Sequence, residues 1–294
     1  MKKDITELFV FLDDFCKQYE LILKTNILPS SRKITRIPGL QISEIMSVLL
    51  LFQKSPAKNF KFFYQSYLQL YKSEFPNLPS YNRFIELQQR CLGHFHALLM
   101  ILCSMAKQTG LAYVDSTCIQ VCHNKRTSRH KVFKGLAELG KSTMGWFFGF
   151  KLHLIINEKG ELLSVQLTPG NVDDRKPVRQ MTSRLVGLLF GDKGYIDQNL
   201  FRDLYDRGLK LVTGIKKKMG NKLVLLREKI LLRKRSIIET VNSVIKKDFQ
   251  ISHTRHRSFV NGFIHIFSTL IAYVMKSKKP SNPNSGLDIR VYNR

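Results

Sequence analysis

Acidic residues, paired cysteines and long hydrophobic runs are all scarce in this chain of 294 residues. It carries 22 Asp and Glu against 48 Lys and Arg, which gives a formal net charge of +26. So large an excess of positive charge repels itself in a compact protein unless a polyanion supplies counter-charge. The composition therefore predicts a nucleic-acid partner, although a basic protein that merely adheres to polyanions would have the same composition.

The five cysteines are odd in number and form no CxxC pair. This argues against a disulfide framework and favours a reducing compartment. Cys118, Cys122, His123 and His130 lie close enough in sequence to raise the question of a zinc site. We do not favour zinc, because the stretch is expected to be extended and lacks a second pair of ligands.

Hydrophobic runs are too short for a membrane segment. Runs such as residues 48–52 are far below the roughly 18 residues that a spanning helix needs. The apolar run at residues 8–12 is flanked by Glu7 and Asp13, so no signal peptide is expected. We therefore expect a cytoplasmic protein without membrane association.

The first third of the sequence has helical periodicity. Helices are expected at residues 4–24, 45–52, 80–90 and 94–107, with an aromatic stripe at residues 60–71 that is more typical of core packing than of base stacking. The proline-rich joint before residue 80 is compatible with a helix-turn-helix reader, in which Arg83 would contact DNA. We expect residues 1–108 to form an all-helical DNA-binding or dimerisation domain.

After Gly110 the periodicity changes to that of strands. Strands are expected at residues 111–114, with an extended continuation to 121, and at 147–156, 162–167, 186–190 and 209–215; helices are expected at 177–185, 197–207 and 223–249. This order predicts an α/β fold with a mixed sheet flanked by helices.

Three acidic residues fall where a sheet-based site would form. Asp115 is expected to end the first strand and Asp192 the fourth, and Glu239 lies on the last of these helices. Carboxylates gathered at strand ends would repel one another unless divalent cations lay among them. Oxygen ligands without Cys or His suit Mg²⁺ or Mn²⁺. Two such ions about 4 Å apart can activate the attacking oxygen and stabilise the leaving oxygen in phosphoryl transfer.

The expected helix at residues 223–249 carries a polar row. Arg235, Glu239, Asn242 and Lys246 have offsets of four, seven and eleven, which place them on one helix face. Apolar residues fall on the opposite face, which would pack on the core. A lone exposed Glu on a helix is usually only solvated, so the row gains its weight from the two aspartates upstream.

Five ordered segments of the second part carry a family resemblance. They are YVDST (113–117), FGFKLHLIIN (148–157), LTPGNVDDR (167–175), LFGDKGY (189–195) and RSIIETVNSVIK (235–246). Together with HTRHRS (253–258) they resemble bacterial insertion-sequence transposases of the Asp-Asp-Glu class, which have a ribonuclease-H-like core. The resemblance covers about residues 110–275. Within the class, the chain is most similar to the compact branch called insertion-sequence family nine-eight-two.

The resemblance implies a metal-dependent DNA transposase. Asp115, Asp192 and Glu239 would hold two Mg²⁺ or Mn²⁺ ions, cleave phosphodiester bonds at the element ends and transfer the strands into target DNA. The family also has a Tyr, Arg, Glu, Lys signature around the third acid. Arg235, Glu239 and Lys246 match this signature, whereas Leu232 occupies the Tyr position, so the contact made by that Tyr is not implied here.

The resemblance further implies terminal inverted repeats and target DNA as partners, and a homodimer, since two ends need two active sites. A location at the bacterial nucleoid follows from this. The residues expected to contact DNA are Arg235, Lys246, Lys193, His153, Asn242, Arg255, Arg257 and Arg83. For His153 the alternative is a core histidine, and for Lys193 a solvated side chain. The catalytic domain is expected over residues 109–278, followed by a basic tail over 279–294.

Two other functions use the same residues. A stand-alone metal-dependent nuclease would need the same three acids but no paired ends. A non-catalytic DNA-binding protein derived from a transposase would be expected to have lost an acid, and all three are present. Asp173 and Asp174 are further acids near the expected site, but their position after Gly170 favours a turn-forming role.

Overall fold

A computed structural model describes residues 2–26, 39–143, 145–215, 225–252 and 256–282. The α-helices within them are α1 (Lys2–Asn26), α2 (Ile42–Lys54), α3 (Phe60–Phe62), α4 (Tyr81–Leu87), α5 (Leu92–Met105), α6 (Val178–Met181), α7 (Gln198–Asp206), α8 (Leu226–Arg233), α9 (Ser236–Lys247) and α10 (Phe259–Val274). The strands are β1 (Leu111–Cys122), β2 (Glu138–Ser142), β3 (Gly145–Ile156), β4 (Leu162–Pro169), β5 (Gly187–Gly191) and β6 (Leu209–Thr213). None of the described helices is both long and apolar enough to cross a bilayer.

The chain divides into two compact units. The first comprises Met1–Leu99, Phe249–Ile251 and Arg255–Met275, and the second Met100–Asp248, Ser252–Thr254 and Lys276–Arg294. This division differs from the expected boundaries, because α10 belongs to the first unit and not to the part that carries the sheet. The tail expected at residues 279–294 lies largely outside the described residues.

The first unit is helical, with α2 packed against both α1 and α10. The side chain of Gln53 on α2 is buried and donates to Ser268 Oγ at 3.1 Å; it also lies 3.2 Å from His265 Nδ1. Because a buried amide must find partners, this bonding fixes α2 against α10. The helix expected after residue 80 begins as predicted, where Ser80 Oγ accepts the Arg83 N–H as an N-cap.

The aromatic stripe at residues 60–71 does not form one regular helix. It comprises α3, a π-helical turn at Phe63–Tyr67 and a 3-10 turn at Leu68–Tyr71. Phe63 and Tyr64 are buried, and the ring of Tyr64 lies 4.9 Å from that of Phe84. The structure therefore uses these two rings as core.

The second unit contains a mixed sheet flanked by helices, which confirms the predicted α/β class. Its main path runs β2-β3-β1-β5-β6, and β4 also pairs with β3. β3 is antiparallel to β1, β2 and β4, whereas β5 is parallel to β1 and β6. β2 pairs with the first five residues of β3 and β4 with the remainder, so both lie along one edge of β3.

Apolar residues occupy both faces of the central strands. Ala112, Val114 and Ile155 belong to a buried cluster with residues of α6 and α7. α9 contacts β1, and α8 contacts β5 and β6; Ile238 and Val241 of α9 are fully buried. Strands covered by helices in this way read as nearly continuous apolar runs, as the sequence of β3 does.

Two strands and one helix differ from the sequence-based expectations. β1 does not end at Asp115 but continues to Cys122, because β3 pairs with it along almost its whole length. β2 was not expected at all. The segment expected as a helix at 177–185 is helical only over Val178–Met181.

The expected helix at residues 223–249 is two helices. α8 ends at Arg233, α9 begins at Ser236, and Arg235 occupies the N-cap position of α9. Residues 223 and 224 lie outside the described part. The break matters for function because it places Arg235 at a corner of the chain, not within a continuous helix face.

Candidate active site

The sheet places Asp115 and Asp192 at the same level on neighbouring strands. β1 and β5 are parallel, and their pairing ends at Tyr113 opposite Phe190. Each aspartate lies two residues beyond that last pair. Both aspartates therefore lie at the same end of the parallel pairing, Asp115 inside its strand and Asp192 directly after β5.

Asp115 is partly buried and is held by a side chain from α9. Its Oδ2 accepts a hydrogen bond from Asn242 Nδ2 at 3.0 Å. Burial raises the pKa of the Asp115 carboxyl to about 6, because the charged form loses hydration. Asn242 is itself only 7% exposed, so it is not the surface DNA contact expected from the sequence; it acts by orienting Asp115.

Charges from three other side chains reach Asp115. The guanidinium of Arg235 lowers the Asp115 pKa, whereas the negative charges of Asp192 and Glu239 raise it. The three acids and Arg235 therefore lie in one electrostatic neighbourhood, as a shared site requires.

Asp192 is exposed directly after β5, in a turn that two glycines permit. Its Oδ1 accepts the N–H of Gly194 at 2.8 Å, and a Cβ at Gly194 would lie 2.9 Å from that oxygen. A Cβ at Gly191 would lie 3.1 Å from Tyr195 and 3.2 Å from Val114. Side chains at either glycine would thus push the carboxylate or the underlying ring out of place.

Glu239 lies in the first turn of α9 and is bound to Arg235. Arg235 Nη2 donates to Glu239 Oε1 at 2.7 Å, with 58% of the Glu239 side chain exposed. The predicted row on one polar face is wrong in one respect. Asn242 faces β1, because the side of α9 that carries it packs on the sheet. Arg235, Glu239 and Lys246 are the members of the row that reach solvent.

Comparison with known protein families agrees with this geometry. A family model described as a transposase DDE domain matches residues 105–259, more than half of the chain and a stretch that includes all three acids. The chain belongs to this family. Comparisons with curated proteins and with solved structures give no match.

The acids of this DDE domain have the donor chemistry of a divalent-cation site. Carboxylate oxygens are the ligands that Mg²⁺ and Mn²⁺ prefer, and the repulsion of Asp115 by Asp192 and Glu239 would be relieved by a cation. Yet no three His, Cys, Asp or Glu side chains of the described residues are grouped closely enough to hold a metal ion. The third carboxylate, that of Glu239, is bound instead to the Arg235 guanidinium.

Tyr195 of the DDE domain lies behind the aspartates and was not singled out from the sequence. It is 2% exposed, and burial raises its pKa, with further contributions from the charges of Asp115, Asp174 and Asp192. The phenol therefore stays neutral and forms an uncharged wall behind the acids. The sequence LFGDKGY could have predicted this burial, because a large aromatic residue that follows a glycine turn often packs back on the core.

Asp173 and Asp174 are held by neighbouring cations. Arg175 donates to both carboxylate oxygens of Asp173, at 2.9 and 2.6 Å. Asp174 forms an ion pair with Lys151 Nζ at 3.0 Å, and the same ammonium donates to Val172 O. These contacts tie the loop to β3. A cavity of about 300 Å³ beside it is lined by Asp173, Arg175, Lys176, Arg179, Asp197 and Leu200.

His153 of the DDE domain is a core residue. It is 1% exposed, and its Nε2 lies 2.8 Å from Thr168 Oγ1. Burial lowers its pKa to about 4. This agrees with the alternative of a core histidine, because a neutral imidazole inside the sheet offers a DNA phosphate neither access nor charge.

We expect His153 to make unfolding easier in acid. Its folded pKa lies below the ordinary value of 6.5, so the unfolded chain binds the proton more readily between pH 6.5 and 4. The contribution of His153 to the free energy of unfolding is complete above that window. It is lost as the pH falls through the window, by up to about 3 kcal/mol. Urea unfolding of His153→Gln at several pH values should show a flatter dependence.

The matched control for His153 is His96→Gln, at an exposed histidine of α5. It should keep the acid sensitivity of the unmodified chain. An unchanged pH dependence in His153→Gln would show that other groups account for the loss.

Two other residues expected to contact DNA, Lys193 and Lys246, are open to solvent. In the DDE domain Lys193 is exposed, with its stem packed over Gly214, and Lys246 is partly exposed on α9. Both side chains can reach a phosphate. Among the described residues, neither lysine forms an ion pair with Asp115, Asp192 or Glu239.

In the first unit, Arg83 is exposed and paired with Glu86 at 2.7 Å. Arg257 is exposed and close enough to Tyr81 to lower its pKa against the larger effect of burial. These two arginines are thus available on the helical unit. Arg255 lies outside the described residues.

Proposed function

We propose that this chain is a DNA transposase that cleaves phosphodiester bonds at the ends of an insertion element and joins the freed 3′ ends to target DNA. The observation that carries the proposal is the register of β1 and β5. In that register Asp115 and Asp192 each lie two residues beyond the last pair, the charge of Glu239 raises the Asp115 pKa, and all three acids fall inside the segment that matches the transposase family.

Asp115, Asp192 and Glu239 would hold the divalent cations, Mg²⁺ or Mn²⁺ and two per site. When bound, the cations supply the charge that activates the attacking oxygen and stabilises the leaving oxygen. The hydrogen bond from Asn242 orients the Asp115 carboxylate. The buried ring of Tyr195 would exclude water from the core side of that carboxylate. Glu239 must exchange its bond to Arg235 for a cation, which leaves that guanidinium to bind a phosphate of the DNA.

The partners that follow are the element's terminal inverted repeats, target DNA and a second copy of this chain. Two ends require two active sites, and the described part of the chain carries one set of these acids. We propose Lys193, Lys246, Arg83, Arg257 and Arg255 as phosphate contacts. The compact spacing of the acids supports a place in the insertion-sequence family nine-eight-two, acting on nucleoid DNA in a bacterial cytoplasm.

A strand-transfer assay tests this function. The purified protein is mixed with labelled DNA from the flanks of its gene and a supercoiled plasmid, with Mg²⁺, Mn²⁺ or EDTA. We expect nicking at the element ends and covalent joining to the plasmid with either metal, and neither with EDTA. Nicking without joining would favour a stand-alone nuclease. Binding without nicking in either metal would favour a non-catalytic derivative.

A further inference from the structure

The single tryptophan of the chain is exposed on a strand. Trp146 lies near the start of β3 with 61% of its surface exposed. An indole left in water forgoes a large burial energy, so an exposed tryptophan marks a contact surface more often than other surface residues do.

The indole has a fixed position. β2 pairs with β3 so that Lys141 faces Trp146, and Lys141 Nζ lies 5.8 Å from the centre of the indole. Asn124 Nδ2 donates to Trp146 O at 2.6 Å. This bond ties the 3-10 helix Asn124–Arg129 to the β2-β3 hairpin. The backbone of Trp146 is therefore held by β2 on one side and by the Asn124 side chain on the other.

The sequence on the N-terminal side of the indole is rich in positive charge. Residues 123–147 contain six cations and one acid, Glu138. The cations are Lys125, Arg126, Arg129, Lys131, Lys134 and Lys141, and all six are exposed. Within the described residues none of them lies within 4.0 Å of an Asp or Glu oxygen. We call these six residues and Trp146 the hairpin patch.

The segment that carries Lys131 and Lys134 is anchored to the sheet. Phe133 is 3% exposed, and its ring lies 5.5 Å from that of Phe150 on β3. The ring of His130 stacks on Phe133 at 5.8 Å. The backbone that carries these two lysines is thus held in place, which lowers the entropy lost when the segment binds a ligand.

The hairpin patch lies away from the three acids. Trp146 precedes Leu154, the β3 residue opposite Asp115, by eight residues, which is about 27 Å along a strand. A DNA strand bound in the active site would not by itself account for an exposed indole at this distance.

We propose that the hairpin patch is a second DNA-binding site, at which the indole of Trp146 stacks on an unpaired base while the six cations hold the adjoining phosphates. Every base offers a flat face to an aromatic ring, whereas bases inside a duplex are already stacked on one another. The site therefore takes a single-stranded segment or a strand end. The inference rests on DNA being the partner, as proposed above, but it requires no catalysis.

The lone tryptophan makes the test direct, because all intrinsic indole emission comes from Trp146. Emission is followed while a single-stranded oligonucleotide, a duplex of the same length or heparin is added. Fluorescence anisotropy of labelled DNA reports binding independently. We expect the single strand to quench most of the emission, and heparin to bind without quenching because it has no bases. We expect Trp146→Ala to weaken single-strand affinity about 10-fold and duplex affinity much less.

Tyr205→Ala is the matched control, since Tyr205 of α7 is exposed to a similar degree, 60%. It should change neither the affinities nor the quenching, and Trp146→Phe should recover part of the lost affinity. The proposal is overturned if single strands bind without quenching, or if heparin quenches equally. Failure of the strand-transfer assay alone would leave the quenching intact, so the two proposals fail separately.

Discussion

Replacing Asp115 by asparagine should abolish strand cleavage and leave the fold and DNA affinity nearly unchanged. The substitution removes one carboxylate of a site whose charge stabilises the reaction by several kcal/mol, which corresponds to at least about 10³-fold in rate. The fold should tolerate it, because burial already raises the pKa of Asp115 to about 6 and a neutral amide avoids that cost. Nicking rate, thermal unfolding and anisotropy with labelled DNA measure the three quantities.

Asp206→Asn provides the control for the change in charge. Asp206 ends α7 on the surface of the same unit, and its replacement adds the same unit of positive charge without touching the three acids. We expect unmodified cleavage from this variant. Full nicking by Asp115→Asn would remove Asp115 from the reaction, and equal losses in both variants would show that charge alone was responsible.

The placement of the candidate acids in the fold could be predicted in part, because apolar runs set it. The apolar runs at residues 111–114 and 186–190 stop just before Asp115 and Asp192, and parallel strands with such sequences pair in the interior of a sheet. The pattern could thus predict which ends come together. The position of Glu239 on the opposite face followed from helical periodicity, since Ile237 and Val241 were expected to face the core, and both are buried.

The contacts of these acids could not be predicted in the same way. The break between α8 and α9 contains neither Gly nor Pro, so helical periodicity runs through it unchanged, and the N-cap position of Arg235 depends on tertiary packing. Asn242 belongs to a polar row by spacing, yet it faces Asp115 because the acid supplies its buried amide with a partner.

Backbone pairing is the other feature that side-chain patterns do not encode. β2, with the sequence ELGKS, has no alternation of apolar residues and pairs through its main chain with β3. α10 is strongly apolar, and this character alone does not reveal that α2 is its neighbour. Long-range partners of this kind are set by the fold as a whole.

DNA affinity should fall by about 10³ to 10⁵ between 50 and 200 mM salt. Each phosphate neutralised by a lysine or arginine releases condensed counterions, so the logarithm of the binding constant falls linearly with that of the salt concentration, and six to ten contacts give this loss. The hairpin patch alone offers six exposed cations. Anisotropy titrations of a labelled duplex at five salt concentrations give the slope, and a flat response would contradict a binding mode based on phosphates.

A steep slope would also arise if the chain adhered to DNA through its net charge alone. Substitutions of individual lysines distinguish this case from binding at a defined site. Removing Lys131 and Lys134 together, as glutamines, should reduce the slope for duplex DNA by about 1.8, since each contact contributes about 0.9. Lys17→Gln should leave it unchanged, because that ammonium is already bound to Asp13 at 2.6 Å. Equal reductions per charge at both places would indicate a diffuse positive surface; a reduction confined to Lys131 and Lys134 requires DNA to lie against the β2-β3 hairpin.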